Sequence, residues 1–322
     1  MRVTVTGGTG FLGSFLVRDL LAKGATVRVL ARPSRRADQL AEAGAEVVPG
    51  DVKQQDSIAR AVAGAGIVYH LAARVGAAPR RSYFDVNVGG TERVLLASSQ
   101  ARVSQFVYLS SLAVYGPIEE GQSIDESTPL DPHAHLRDSY AESKVTADRL
   151  VSSYAHQTGL PIVIVRPGIV YGPGKPLPIG IFAFRFGGKN VVFGKPWHRF
   201  PLNYVENLVD ALQTLAVPGS GFRQYNILDS DDLMLGRFHS LKSAADHSVT
   251  RFSSGWPLYV ASPLAEALYP IVPMGDTRLS RYQLHRTLQD RRYDTRRIRE
   301  QTPWEPRVSL EEAIRRTLNW HG

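Results

Sequence analysis

The sequence predicts an α/β protein: a doubly wound parallel sheet with a smaller, irregular C-terminal region. Three observations predict it. Short β-branched runs alternate with helix-spaced segments through the first half of the chain. A glycine-rich turn joins the first run to the first helix. The alternation then loosens from about Tyr171, where Gly and Pro become dense.

Residues 2–6 are apolar and β-branched, and 11–23 have helical spacing that stops at Gly24. Residues 26–31 read as the second strand, followed by a short helix at 37–43 before Gly44. Further strands are expected at 46–49, 67–71, 105–110 and 160–166, with helices at 56–63, 84–100 and 140–158. Strand–helix alternation of this kind builds a parallel sheet covered on both faces, and its ligands sit at the carboxyl ends of the strands. Residues 203–217 read as a helix, 222–228 as a last sheet strand and 310–320 as an amphipathic closing helix.

Composition narrows the chemistry. A chain of 322 residues forms one large domain or two fused ones. It has no cysteine, which excludes disulfide frameworks, thiol nucleophiles, iron–sulfur clusters and Cys-ligated zinc. The nine His show no metal-ligand spacing, so no metal site is expected. Lys and Arg number 38 against 30 Asp and Glu, a net charge of +8. Much of the excess lies in 32–36 and 291–299, which largely lack the interleaved aromatics a nucleic-acid binder uses. A phosphorylated cofactor accounts for positive charge, the 291–299 run reads as a solvated face, and no nucleic-acid partner is expected. A strand follows Met1 within two residues, so no leader is expected and a cytoplasmic location is the default. Residues 255–274 form a 20-residue apolar run, but Pro257, Pro263, Pro270, Pro273 and Glu266 interrupt it. It reads as a buried or substrate-covering segment, and membrane association is not expected.

The turn Thr6-Gly7-Gly8-Thr9-Gly10-Phe11-Leu12-Gly13 is the first candidate site. Glycines at 7, 10 and 13 suit a tight turn, close approach of backbone to a pyrophosphate, and a helix packed hard on the sheet. The helix then presents unpaired N–H groups to the phosphates. Residues 1–170 are therefore expected to form a dinucleotide-binding domain, and 171–322 a substrate-binding region, with 203–230 returning to the first domain's core. The second strand ends at Ala31, where an NAD-preferring chain carries an acid for the ribose 2′-hydroxyl. Arg32, backed by Arg35 or Arg36, suits a 2′-phosphate instead, which favours NADP(H) over NAD(H). Asp51 and Val52, after the third strand, are positioned to meet the adenine edge.

Tyr140 and Lys144 stand four residues apart on a predicted helix, hence on one face. A phenol is a poor acid or base at neutral pH, with an ordinary pKa of about 10. A neighbouring ammonium favours the phenolate, and the spacing predicts a lowered pKa for Tyr140.

These residues have companions: Leu109-Ser110-Ser111-Leu112-Ala113-Val114-Tyr115-Gly116, Arg166-Pro167-Gly168-Ile169-Val170-Tyr171-Gly172, Tyr69-His70-Leu71-Ala72-Ala73 and Asn87-Val88-Gly89-Gly90-Thr91. With Asn203-Tyr204-Val205-Glu206-Asn207 and Trp304-Glu305-Pro306, the whole chain resembles the extended short-chain dehydrogenase/reductase family, also called the NAD-dependent epimerase/dehydratase family. The resemblance implies a Rossmann sheet and a Ser111/Tyr140/Lys144 site. In it Tyr140 is the acid/base, Lys144 tunes it and holds the nicotinamide ribose, and Ser111 hydrogen-bonds the reacting oxygen. Pro167, Gly168 and Val170 would lie at the nicotinamide, Leu71, Ala72 and Ala73 beneath the phosphates and ribose, and Asn87 near the site. It also implies a homodimer through the helices at 84–100 and 140–158.

Departures from subfamily patterns refine this. Sugar-nucleotide 4,6-dehydratases carry an Asp-Glu pair directly after the catalytic hydroxyl, where this chain has Leu112-Ala113. Nucleotide-sugar epimerases with tightly held NAD remain an alternative, with Arg199 close to where such enzymes hold a diphosphate. The stretch 200–207 is more similar to members like 3β-hydroxysteroid dehydrogenases. The expected function is an NADP(H)-dependent oxidoreductase that interconverts a ketone and a secondary alcohol on a small molecule. A non-catalytic NADP-binding sensor is the third reading. His133 and His135 read as solvated loop residues, His70 as packing at a strand end, and Trp304 and Trp320 as tail-docking core.

Overall fold

The computed structural model describes residues 2–119, 121–180, 183–258, 260, 262, 263 and 280–320. Seven strands form its central sheet: β1 (Arg2–Thr6), β2 (Thr26–Ala31), β3 (Glu46–Pro49), β4 (Ile67–His70), β5 (Gln105–Leu109), β6 (Ile162–Pro167) and β7 (Arg223–Ile227). Their order is β3-β2-β1-β4-β5-β6-β7, with every neighbouring pair parallel. Thr6 at the end of β1 lies in register with Leu30 on one side and His70 on the other. The chain winds outward in both directions from β1, so the crevice beyond Thr6 is the switch point where such sheets take ligands.

Alternate side chains bury on opposite faces, as the period of a strand requires. Val3, Val5, Val27, Val29, Val163 and Val165 pack with α1 (Phe11–Ala22) and α6 (Val205–Leu215). Val68, Phe106, Tyr108, Ile162 and Ile164 face α3 (Gln55–Val62), α4 (Gly89–Gln100) and α5 (Ser139–Thr158). Helix ends follow local chemistry. Ser34 accepts a hydrogen bond from Ala37 N at 3.3 Å and starts α2 (Arg35–Glu42). Asp138 accepts from Ala141 N at 2.8 Å, which starts α5 one residue before Tyr140.

Several expectations need correction. Helix α6 begins at Val205, because Leu202–Tyr204 pair as a strand with Ile169–Tyr171. Asn203 Oδ1 there accepts from Gly168 N at 2.7 Å, a bond that holds the backbone extended. The helix at 84–100 opens with a π-helical turn, Phe84–Val88, before α4. Arg291 is no solvated residue; it is 6 % exposed, with its guanidinium on the Tyr115 and Gly116 carbonyls. Trp304 is buried in the core, whereas Trp320 is 54 % exposed. Of the apolar stretch 255–274, residues 259, 261 and 264–274 lie outside the described residues. Among the described residues no helix is long and apolar enough to cross a membrane.

Candidate active site

The glycine turn is fixed by contacts that admit no side chain. Gly7 has φ +73°, and a Cβ there would stand 2.6 Å from Ala72 N. A Cβ on Gly13 would stand 2.1 Å from Gly7 O, so α1 presses directly on the turn. Gly10 N donates to Gly7 O at 2.9 Å, and Gly10 gives α1 no side-chain cap. The first amides of α1 are thus available to an anion. Beneath the turn, Thr6 Oγ1 and Thr91 Oγ1 hydrogen-bond the two ring nitrogens of His70 at 2.7 and 2.9 Å. Burial, with a smaller push from Lys144, lowers His70 to about 3, so this strand-end imidazole is neutral.

Ser111 follows β5 and caps the short turn Leu112–Val114, accepting from Ala113 N at 3.1 Å. Its side chain lines the same cavity as that of Tyr140, in the first turn of α5. Lys144, one turn further, is buried and donates from Nζ to Leu109 O at 2.8 Å. Burial holds Lys144 down to about 8, against the pull of Asp148. Tyr140 does not show the expected lowering. Burial pushes its phenol up, Ser111 opposes that, and Asp138 adds to it. The physical reason is direction: the ammonium is turned to the Leu109 carbonyl and lies 5.2 Å from the Tyr108 ring centroid.

A cavity of about 590 Å³ joins these parts. Gly7, Gly10, Phe11, Leu12, Gly13, Leu71 and Ala73 line one end, and Ser111, Tyr140, Lys144, Pro167, Gly168 and Val170 line its middle. Thr9, Arg32, Arg35, Arg36, Asp51, Val52, Ala72 and Asn87 are not among its lining residues. Arg36 Nη1 reaches Thr9 O at 3.5 Å, and Arg32, 80 % exposed, lies 3.9 Å from Asp51. Asn87 is buried, with Nδ2 donating to Ser143 Oγ at 2.9 Å and Oδ1 accepting from Arg74 N at 2.6 Å. It ties the π-helical turn to α5. His133 and His135 are exposed. Arg199 lines the cavity but is ion-paired to Asp290 at 2.6 Å and to Asp232 at 3.3 Å.

Sequence reasoning missed Lys175, Arg137, Gln283, Arg286 and Arg291, all of which line the cavity. Lys175 Nζ donates to Val170 O at 3.1 Å and lies 5.4 Å from the Phe11 ring centroid, beside the glycine turn. Its place in Pro173-Gly174-Lys175, just beyond the strand that carries Val170, was the available signal.

This fold and site define an α/β enzyme of the class that binds a nicotinamide dinucleotide. The glycine turn fits the group: it excludes a Cβ at the two positions where backbone must approach closely, and its helix end is uncapped. The chain belongs to the NAD dependent epimerase/dehydratase family, whose model matches residues 3–227. It is 31 % identical over 244 residues to 4-hydroxy-2-methyl-3-oxo-4-farnesyl-3,4-dihydroquinoline-1-oxide ketoreductase of Stigmatella aurantiaca, covering 75 % of this chain and 72 % of that one. It is 36 % identical over 224 residues to 3 beta-hydroxysteroid dehydrogenase/Delta 5-->4-isomerase of Mycobacterium tuberculosis, covering 65 % and 58 %. Its fold matches the crystal structure of Thermus thermophilus UDP-glucose 4-epimerase in complex with NAD, with a TM-score of 0.73, 24 % identity and coverage of 99 % and 98 %.

Proposed function

We propose that the protein is an NADP(H)-dependent oxidoreductase interconverting a ketone and a secondary alcohol on a small molecule. The observation that carries this reading is the placement of Ser111, Tyr140 and Lys144 in the same cavity as the glycine turn. Bound cofactor supplies or accepts the hydride. In the reducing direction Tyr140 gives its phenolic proton to the carbonyl oxygen, and Ser111 donates a hydrogen bond to that oxygen. A phenol pushed up by burial stays protonated at neutral pH, which suits an acid. Lys144 acts as a positioning cation for the cofactor ribose. The residues after Ser111, Leu112 and Ala113, offer no second acid and base, which argues against water elimination.

The NADP(H) preference rests on β2. It ends at Ala31 without an acid, while Arg36 reaches Thr9 O of the glycine turn and Arg32, next after Ala31, lies 3.9 Å from Asp51. The nucleotide-sugar reading is disfavoured by Arg199: two carboxylates already neutralise the side chain expected to hold a diphosphate. Retention of both Tyr140 and Lys144 argues against a non-catalytic sensor. Tyr140→Phe tests the assignment. Ketone-dependent NADPH oxidation is lost while cofactor affinity stays within a few-fold; full activity in that variant removes Tyr140 from the mechanism.

A further inference from the structure

The cavity wall beside Ser111 and Tyr140 carries three buried guanidiniums, those of Arg137, Arg286 and Arg291, which are 1 %, 7 % and 6 % exposed. All three converge on one carbonyl. Tyr115 O accepts from Arg286 Nε at 2.8 Å, from Arg137 Nη1 at 3.3 Å and from Arg291 Nη2 at 3.4 Å. Their other backbone partners are the neutral carbonyls of Leu112, Ala113 and Gly116. Counter-charge is scarce. Asp131 lies 3.0 Å from Arg137 Nη1 and also accepts from Tyr282 Oη at 2.6 Å and His133 N at 2.9 Å. Asp138 accepts from Ala141 N at 2.8 Å and from Gln283 Nε2 at 3.1 Å. Among the described residues neither Arg286 nor Arg291 has a carboxylate within 4.0 Å, and Arg291 Nε is buried with no hydrogen-bond partner. Burial and mutual repulsion push the Arg286 guanidinium well below its ordinary range, and Arg291 moves the same way.

A buried arrangement of three guanidiniums around one carbonyl is costly unless an anion completes it. A role limited to clamping the Tyr115–Gly116 turn explains the carbonyl contacts but leaves the Arg291 Nε donor and the uncompensated charge without a reason. Cofactor phosphate does not supply the anion. The glycine turn follows β1 and Arg32 follows β2, whereas the cluster hangs on the loop after β5, two strands from β1 on the opposite side from β2. That loop carries Ser111, and Arg137 lies three residues before Tyr140, so the cluster belongs to the substrate end.

We propose that Arg137, Arg286 and Arg291 form an oxyanion subsite that binds a carboxylate carried by the ketone or alcohol substrate. A planar, singly charged carboxylate matches the fork geometry of a guanidinium and completes a cluster that Asp131 has already partly neutralised. The inference rests on the reading of Tyr140 as the proton donor to that substrate, and it names the substrate class: keto acids and hydroxy acids rather than neutral ketones. Arg286 and Arg291 carry the selectivity, because among the described residues neither has an acidic partner of its own.

The test is calorimetric titration of the NADP⁺-saturated protein with 3-hydroxyoctanoate and with its methyl ester. The acid binds at least tenfold more tightly than the ester, and Arg286→Gln removes that preference by weakening the acid alone. Equal affinity of acid and ester for the unaltered protein overturns the proposal whether or not the variant folds, and so does failure of both to bind. The two readings separate when NADP⁺ reduction by the same two compounds is also followed, in the parent and in Tyr140→Phe. Acid preference without any Tyr140-dependent oxidation keeps the subsite and removes the reductase reading. Tyr140-dependent turnover of the ester with no acid preference does the reverse.

Discussion

Arg166 and Asp148 form a buried two-pronged ion pair, with Nε 2.9 Å from Oδ2 and Nη2 2.7 Å from Oδ1, and side chains 3 % and 0 % exposed. Ser110 Oγ donates to the same Oδ2 at 2.5 Å. Arg166 Nη1 donates to Tyr115 Oη at 2.8 Å, which in turn donates to Asn226 Oδ1 at 2.8 Å. One network thus ties β5, β6 and β7 to α5. Asp148 stands one turn beyond Lys144 on the same helix face, so the pair sets how deeply the segment bearing Tyr140 and Lys144 sits against the sheet.

Removing one partner leaves the other charge buried and uncompensated. Arg166→Met is expected to lower the unfolding free energy by about 3–5 kcal/mol, the usual cost of breaking a buried pair. Urea denaturation checks this. The double variant Arg166→Met/Asp148→Leu recovers most of the loss, since both charges are then gone. A single variant as stable as the parent would show the network to be ornamental.

Lys144 gives a pH dependence. Its pKa in the folded protein, about 8, lies below the ordinary 10.5, so the ammonium is lost as pH rises through 8. NADP(H) affinity that depends on this charge weakens above that pH. Lys144→Arg keeps a cation throughout and flattens the profile. Asp148 is the group that favours the charged form, so Asp148→Asn moves the fall to lower pH. Stability runs in the other direction. Between about 8 and 10.5 the unfolded chain binds the proton that the folded one has shed, so the contribution of Lys144 to stability rises with pH there. Lys144→Met lacks that rise, which denaturation at a series of pH values reads directly.

Gly13→Ala places a methyl group 2.1 Å from Gly7 O, a backbone atom that cannot swing aside. The helix must lift from the turn. Dinucleotide affinity is expected to fall at least tenfold, with about 1–3 kcal/mol of destabilisation of the kind overpacking causes. Cofactor titration and thermal unfolding measure the two parts. Unchanged affinity would mean that the turn does not hold the pyrophosphate.

Arg32→Asp places an acid at the end of β2, where a ribose 2′-hydroxyl is bound and a 2′-phosphate repelled. NADPH affinity should fall at least tenfold and NADH affinity should rise. If NADPH binding were indifferent to the change, Arg32 would have no part in recognising the cofactor.

The sheet is legible in the sequence because parallel strands buried on both faces read as unbroken apolar runs, as at Ile162–Val165. All seven strands end within two residues of their expected bounds. The Tyr140–Lys144 relationship is legible for the same kind of reason: four residues on a helix is one turn. What the spacing cannot show is where a side chain turns. Lys144 reaches the Leu109 carbonyl, so the phenol beside it is governed by burial and Ser111. Asp148 and Arg166 escape notice because charged residues are ordinarily read as surface, and their partnership joins two different elements. Arg291 escapes for a related reason. It opens a run of arginines that looks solvated, and only the fold brings it to Arg137 and to the loop after Ser111.

The central claim is tested most directly by titrating the cofactor-stripped protein with NADPH and with NADH in a calorimeter. NADPH binds at least tenfold more tightly, a difference of about 1.4 kcal/mol, if Arg32 and Arg36 read the 2′-phosphate of a cofactor that is released each turnover. Tighter binding of NADH, or a dinucleotide that cannot be stripped from the protein, would contradict the account and point to internal redox chemistry on a held NAD.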